Sequence, residues 1–170
     1  MKLTRPVLLA LAVAVLGLAT GCGKKKEITS LQRKEAAHVV SEAQFAVTMR
    51  EYARAETLYA KAAELCPDTG SYWSNLGTMR MRLGQRDGAK TAYQKALKAF
   101  EDAAEENKTD PGLVFEQISL LALLGRVDDA RALQAKLPAR FPDNPGVRAF
   151  LDSKALDRML ADPKIKEISL

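Results

Sequence analysis

The side chains with the widest chemical repertoire are few in this chain of 170 residues: one histidine, His38, and two cysteines, Cys22 and Cys66. His38 falls inside a helical pattern with no cysteine or acidic partner at metal-ligand spacing, so a structural or incidental role is expected. No zinc motif, phosphate-binding loop, nucleophile elbow or Cys-His pairing occurs. Asp128 and Asp129 are adjacent, and adjacent residues on a helix do not face each other. They fit charge near a helix N-terminus, which the macrodipole favours. Glu101, Asp102, Glu105 and Glu106 gather at the far end of another helical pattern, as a solvated face or else a cation or partner site. Cys66, directly before Pro67, reads as a small packed residue, or as a thiol open to an intermolecular disulfide in an oxidising compartment. Acid, base and nucleophile nowhere come together, so catalysis is not expected, nor a metal or cofactor.

The elements that would position these residues begin with the amino-terminal segment. Lys2 and Arg5 precede an apolar run from Val7 to Ala19. A membrane-spanning helix needs about 20 apolar residues and this run is shorter, so it reads as a signal peptide over 1–21. Its end, Leu18-Ala19-Thr20-Gly21-Cys22, resembles the lipobox of bacterial lipoproteins, with Ala19 where that family more often has Leu. The resemblance implies cleavage before Cys22, a thioether lipid on Cys22 and acylation of the new amino terminus. It also implies anchorage to the bacterial cell envelope, at the periplasmic face of the outer membrane because Gly23 rather than Asp follows the cysteine. Residues 22–30 form a tether that includes Lys24, Lys25 and Lys26, placed against lipid head groups or simply solvated. With Lys2 and Arg5 removed from the 26 basic residues, the remainder barely exceeds the 21 acidic ones, a balance that does not point to nucleic acid.

From Thr29 the pattern is helical. Thr29 or Ser30 caps a first helix, with Gln32 three residues after Thr29 in capping-box spacing. The helix runs to about Met49 and buries Val39, Ala43, Ala46 and Val47. A second helix after Arg50-Glu51 carries Ala55, Tyr59 and Ala62 on one face and stops at Pro67. The same triplet recurs at unchanged internal spacing as Ala89, Tyr93 and Ala96. Between them a helix carrying Trp73, Leu76 and Gly77 is capped by Asp68 and ended by Gly84. No proline stops the helix after Tyr93, so it continues through Phe100, Ala103 and Ala104 to about Asn107. Asp110-Pro111 restarts the pattern, and Gly125, Ala130 and Pro142 repeat the spacings of Gly84, Ala89 and Pro67. In this third unit Gln134 stands where an aromatic is expected and Ile118 where a small residue belongs. A slipped register instead aligns Phe115, Ile118 and Ser119 with Trp73, Leu76 and Gly77; the sequence leaves both open. Pro145 opens a last amphipathic helix to about Leu160, with Val147, Phe150, Leu151, Leu156 and Met159 as its apolar positions, ended by Asp162-Pro163.

An aromatic, a Leu-Gly step, then a small residue and an aromatic four apart on a second helix: Trp73, Leu76, Gly77, Ala89 and Tyr93 resemble the tetratricopeptide repeat. The resemblance implies an all-α fold, a right-handed α-solenoid of about three helix hairpins at about 36–69, 70–110 and 111–144 within a domain of 31–161. The helix at 145–161 would be a solubilising cap and 162–170 a frayed tail. It further implies a concave groove lined by the first helix of each hairpin: Val40, Gln44 and Val47; Ser71, Ser74, Thr78, Met81 and Arg82; and, in the unslipped register, Phe115 and Ser119. Of the Lys and Asn residues that clamp a terminal carboxylate in one version of this groove, only Asn75 matches, while Val40, Gln44, Gly112 and Glu116 replace the rest. A nearly uncharged groove suits an apolar or weakly polar peptide segment. The expected function is a membrane-anchored scaffold or adaptor lipoprotein that binds a protein or peptide partner to assemble or position an envelope complex. The alternatives are a permanent structural subunit of a secretion, pilus or outer-membrane machine, and a regulator of cell-wall enzymes. Self-association that extends a short stack is also expected.

Overall fold

The Thr29 hydroxyl accepts from the Gln32 backbone N–H at 3.2 Å while the Gln32 side chain accepts from the Thr29 N–H at 3.0 Å, closing the expected capping box. In the computed structural model, which describes residues 27–163 and 165, this cap opens helix α1 (Ser30–Thr48). The segment read as a signal peptide, Cys22 and Lys24–Lys26 lie outside the described residues. Helices α2 (Tyr52–Leu65), α3 (Gly70–Arg82), α4 (Arg86–Glu106), α5 (Pro111–Leu123), α6 (Val127–Ala135), α7 (Leu137–Arg140), α8 (Pro145–Asp152) and α9 (Ala155–Ala161) follow, with no strand among the described residues. Each of the first six packs on its sequence neighbours. This nearest-neighbour contact pattern defines an all-α solenoid of hairpins.

The three hairpins share one turn. Gly84, at φ 75°, donates to Met81 O at 3.0 Å, and Gln85 N donates to Arg80 O at 2.8 Å, the two bonds of a Schellman cap. Gly125, at φ 71°, repeats them to Ala122 O and Leu121 O through its own N–H and that of Arg126. In the first hairpin Arg50 takes the same place at φ 60°, with the same pair of bonds to Val47 O and Ala46 O. Here the turn geometry overrides the residue's own preference, because a Cβ disfavours the left-handed region.

Packing follows the small residues. Ala43, Ala46, Ala55, Ala62, Ala89, Ala92, Ala96 and Ala130 are fully buried, so the helices approach closely along those rows. At Gly77 a Cβ would stand 2.5 Å from the Tyr93 ring, and at Gly70 2.6 Å from the Phe100 ring. Tyr93 therefore sits directly on Gly77 rather than beside it. Two apolar clusters result, one around Ala43, Ala55, Tyr59 and Leu76, the other around Tyr93, Val114, Ile118 and Leu137, and Trp73 packs against both. Arg80 ties the first two hairpins together, its Nε 2.8 Å from Glu56 Oε1 on α2 and its guanidinium donating to Gly88 O on α4 at 3.3 Å.

The register of α5 is the unslipped one. Both α3 and α5 have 13 residues, starting at 70 and 111, and Gly84 and Gly125 follow them at the same offset. Ile118 thus stands at the position of Gly77 and Gln117 at that of Leu76. Gln117 is buried, donating to Phe100 O at 3.1 Å. Gln134, in the place of Tyr93, has its Oε1 buried with no hydrogen-bond partner.

Several expectations need correction. Asp68 does not cap α3: Thr69 is the N-cap residue, without a side-chain bond to the helix, and Asp68 is drawn away to Arg33. The second helix of the third hairpin breaks into α6 and α7 at Lys136, two residues before Pro138, which has no N–H to give to Gln134 O. The last helix also breaks. Lys154 turns into the left-handed region at φ 49° while the Ser153 hydroxyl donates to Phe150 O at 2.7 Å, leaving α8 and α9 as separate segments. Val47 is half-buried rather than buried. His38 does have an acidic neighbour, Glu42 on the next turn, 3.1 Å away.

Two substitutions test this account. Gly77→Ala forces a methyl into a buried aromatic ring that has no room to retreat and should cost about 1–3 kcal/mol, read from denaturant midpoints. Arg50→Gly removes the left-handed penalty and should add about 0.5–1 kcal/mol after the greater freedom of Gly in the unfolded chain is allowed for.

Candidate functional site

Two surfaces offer themselves for binding. One is the outward row of α3, whose residues the sequence already singles out. Ser74, Thr78 and Met81 are half-buried, and Ser71 and Arg82 are exposed or nearly so at its two ends. The hydroxyls are engaged locally: Thr78 Oγ1 donates to Ser74 O at 3.0 Å and lies 3.4 Å from the Tyr93 hydroxyl. Tyr93 thereby reaches the row from the Gly77 notch behind it. Burial pushes the Tyr93 phenol upward, and the Thr78 contact opposes that shift. Arg82 lies 5.0 Å from the Tyr52 ring centre and donates to the Tyr52 hydroxyl at 3.3 Å.

The neighbouring hairpins contribute unequally to this row. On α1, Gln44 is exposed, whereas Val40 and Val47 are half-buried against the first apolar cluster. On α5, the Phe115 ring is stacked on Phe150 of α8, centroids 4.3 Å apart and 1° from parallel. Ser119 donates to Phe115 O at 3.0 Å and lines a small pocket closed by Phe150, Leu156 and Met159. The carboxy-terminal helices therefore occupy the third hairpin's share of the surface, and what stays open is α1 and α3.

The second surface is a cleft of about 1200 Å³ along the edge of the stack opposite the hairpin turns. It exists because two helices overrun. Helix α1 has 19 residues against 13 in α3, with the excess at its start, and α4 has 21 against 14 in α2, with the excess at its end. The start of α1 contributes Arg33, with Glu27 and Ile28 just before it, and the far end of α4 contributes Ala99, Phe100, Asp102, Ala103 and Glu106. Pro67–Thr69 of the loop, Gly70, Ser71 and Trp73 of α3, Thr91, Gln94, Lys95 and Lys98 of α4, and Leu113 of α5 complete the lining.

Two ion pairs line this cleft. Arg33 Nη2 stands 2.7 Å from Asp68 Oδ2, and Thr69 Oγ1 donates to Asp68 Oδ1 at 3.2 Å. Burial pushes the Asp68 carboxyl up, but the hydrogen bond and charge of Arg33 outweigh it and hold the group below its ordinary value. Lys98 Nζ lies 2.6 Å from Asp102 Oδ1. The Lys95 ammonium sits 4.3 Å over the Trp73 ring, whose indole N–H donates to Pro67 O at 3.0 Å. Ile28, Pro67, Ala99, Phe100, Ala103 and Leu113 supply the apolar lining, and Glu27, Thr91, Gln94 and Glu106 add polar groups. Sequence reasoning missed the cleft, although it extended α4 to Asn107; the signal was the pairing of that overrun with the early start of α1. Of the groove residues, Ser71 alone also lines the cleft. Among the described residues no group of three His, Cys, Asp or Glu could hold a metal ion, and the acidic end of α4 supplies only Asp102 and Glu106 to the cleft wall.

Tetratricopeptide-repeat family models match residues 70–102 and 89–152, so the second and third hairpins carry this repeat. None of the curated proteins matches the chain. Similar solved structures include the type III secretion chaperone SycD of Yersinia enterocolitica in complex with a peptide of the translocator YopD, 18% identical with a TM-score of 0.49 over 82% of this chain and 99% of that one. The N-terminal domain of stress-induced protein-1 from C. elegans is 14% identical, TM-score 0.48, over 76% of this chain and 99% of that one. The TPR domain of Arabidopsis OM64 is 16% identical, TM-score 0.44, over 75% and 98%.

Because Asp68 is held ionised by Arg33, the pair supports the fold above the ordinary carboxylate range, and that support is lost as pH falls through the lowered pKa. Asp68→Asn should therefore reduce the urea midpoint at pH 7, and the gap to wild type should narrow steadily as the measurement is carried below pH 4.

Proposed function

We propose that this protein is a scaffold that holds an apolar or weakly polar polypeptide segment of a partner, lying along the α3 row and ending in the cleft. The observation that carries this reading is the position of Ser71 in both surfaces, which makes them continuous. The row offers hydroxyls, the thioether of Met81 and one guanidinium, Arg82. Its lack of a cationic clamp argues for an internal segment over a free carboxyl terminus. The cleft offers Trp73, Phe100, Leu113 and Ile28 as apolar contacts, with Lys98 and Arg33 already paired to carboxylates and Lys95 held over the Trp73 ring. Binding rather than catalysis is the use such surfaces fit.

In the same reading the scaffold is a lipoprotein. Cys22 carries the acyl chains, more than one of which is needed for stable anchoring, and residues 23–30 reach at most about 26–29 Å. The repeats then work close to the bilayer, with Lys24–Lys26 against anionic head groups. The partner segment belongs to a complex of the bacterial envelope that the anchored scaffold assembles or positions, at the periplasmic face of the outer membrane.

Two measurements test this. Crosslinking in the native envelope should recover a partner whose yield falls about tenfold or more, about 1.4 kcal/mol, with Ser74→Trp, and is unchanged by Lys90→Glu on the exposed side of α4. Equal yields from both variants would remove the α3 row from the binding surface. Cys22→Ala should abolish labelling by radioactive palmitate and move the protein from the membrane to the soluble fraction; persistent labelling would overturn the anchoring.

A further inference from the structure

Among the described residues helix α1 ends the stack, and a terminal element is expected to present a polar outer face. This one does not. In the register set by the shared turns at Arg50, Gly84 and Gly125, Phe45 and Met49 occupy the positions of Met79 and Leu83 on α3, and of Leu120 and Leu124 on α5. Met79 is 5% exposed, Leu120 1% and Leu124 7%, because a preceding hairpin covers them, and even Leu83 is only 37% exposed. Phe45 is 60% exposed and Met49 56%. Leu31, 73% exposed, extends the same side of the helix toward its start. Positions 31, 38 and 45 follow one another at heptad spacing and 49 comes one turn later, so they form one stripe along α1.

The opposite end of the stack is closed. Phe150 covers Phe115, and Leu156 of α9 is buried. Head-to-tail stacking of copies would need an open face at both ends, whereas a two-fold contact needs only one surface that complements itself. The α1 stripe has that property in one orientation. Set antiparallel about His38, Leu31 of one copy lies opposite Phe45 of the other, and Lys34 opposite Glu42, each pairing occurring twice. A parallel arrangement would put Lys34 against Lys34 and Glu42 against Glu42, which like charge disfavours.

We infer that α1 is a self-association surface, and that two copies of this chain pair through the Leu31–Phe45 stripe with their α1 helices antiparallel and His38 at the two-fold axis. One helix against one helix buries less than the roughly 1,200 Å² at which interfaces become durable, so the pairing is reversible and depends on concentration. It covers the α1 stripe and does not use the α3 row.

The test uses the full chain in its own membrane fraction. His38→Cys should give a disulfide-linked dimer under mild oxidation, since residues facing each other across a two-fold helix contact fall within the roughly 7 Å that a disulfide spans, and mass spectrometry should find the 38-to-38 peptide. Lys90→Cys, exposed on α4, should not. In the His38→Cys background, Phe45→Glu should lower the linked dimer about fivefold or more. Lys34→Glu should lower it similarly, and adding Glu42→Lys to Lys34→Glu should restore it. Lys34, His38 and Phe45 are exposed and Glu42 is half-buried with its carboxylate at His38, and an unchanged urea midpoint in each variant shows that the fold is kept. No 38-to-38 peptide, equal linkage at 38 and 90, linkage of 38 only to a different protein, or failure of the double charge exchange to restore the dimer would each overturn the inference.

Discussion

A two-helix hairpin has more apolar surface than its own helices can cover, and the remainder must be covered by whatever stands next in the stack. That need for a neighbour governs the molecule. Tyr93 lies on Gly77 within one hairpin, but Trp73 belongs to two clusters at once, and Arg80 reaches both Glu56 on the previous hairpin and Gly88 on its own. The rows of alanine are the same constraint seen from the backbone: helices that must touch on several sides need small residues where they cross. Helices α8 and α9 then end the process, with Phe150 and Leu156 supplying at one end what the next hairpin would have supplied.

Much of the fold was legible because periodicity is local and exact repetition is rare by chance. Ala55, Tyr59 and Ala62 recurring as Ala89, Tyr93 and Ala96 set the length of the hairpin, and Gly84 and Gly125 marked two of its turns. The turn of the first hairpin was placed at Arg50-Glu51 as well, but its left-handed geometry could not be read there, because Arg50 adopts it without being glycine. The breaks at Lys136 and Lys154 were hidden for a related reason: an amphipathic pattern runs on across Pro138 and Ser153, and only local backbone bonding decides that the helix does not. Asp68 had the right type for a cap but stands one residue before the N-cap, Thr69. Its carboxylate went instead to Arg33 on α1, a pairing that depends on how that helix lies over the next loop.

The candidate surface was legible only in part for the same reason. The α3 row can be read from one helix, so spacing alone places its residues side by side. Whether Phe115 and Ser119 stay open depends on the path of the chain after Pro145, and the cleft depends on two helix ends that are far apart in sequence. Surfaces made by one helix can be inferred from spacing, whereas surfaces made by absence, where one helix outruns its neighbour, appear only when lengths are compared in space.

The overrun of α4 has a consequence for how such a chain can change. Relative to α2 it adds one heptad between the second and third hairpins, close to two turns of helix, so the direction in which each later residue points shifts by only about 20°. A stretch half a turn longer or shorter would have spun the following hairpin onto its wrong side, with Val114 and Ile118 facing water. Length in this architecture is therefore quantised: a linkage between repeats can grow by whole pairs of turns and acquire a new recess at its edge while every downstream core contact is kept.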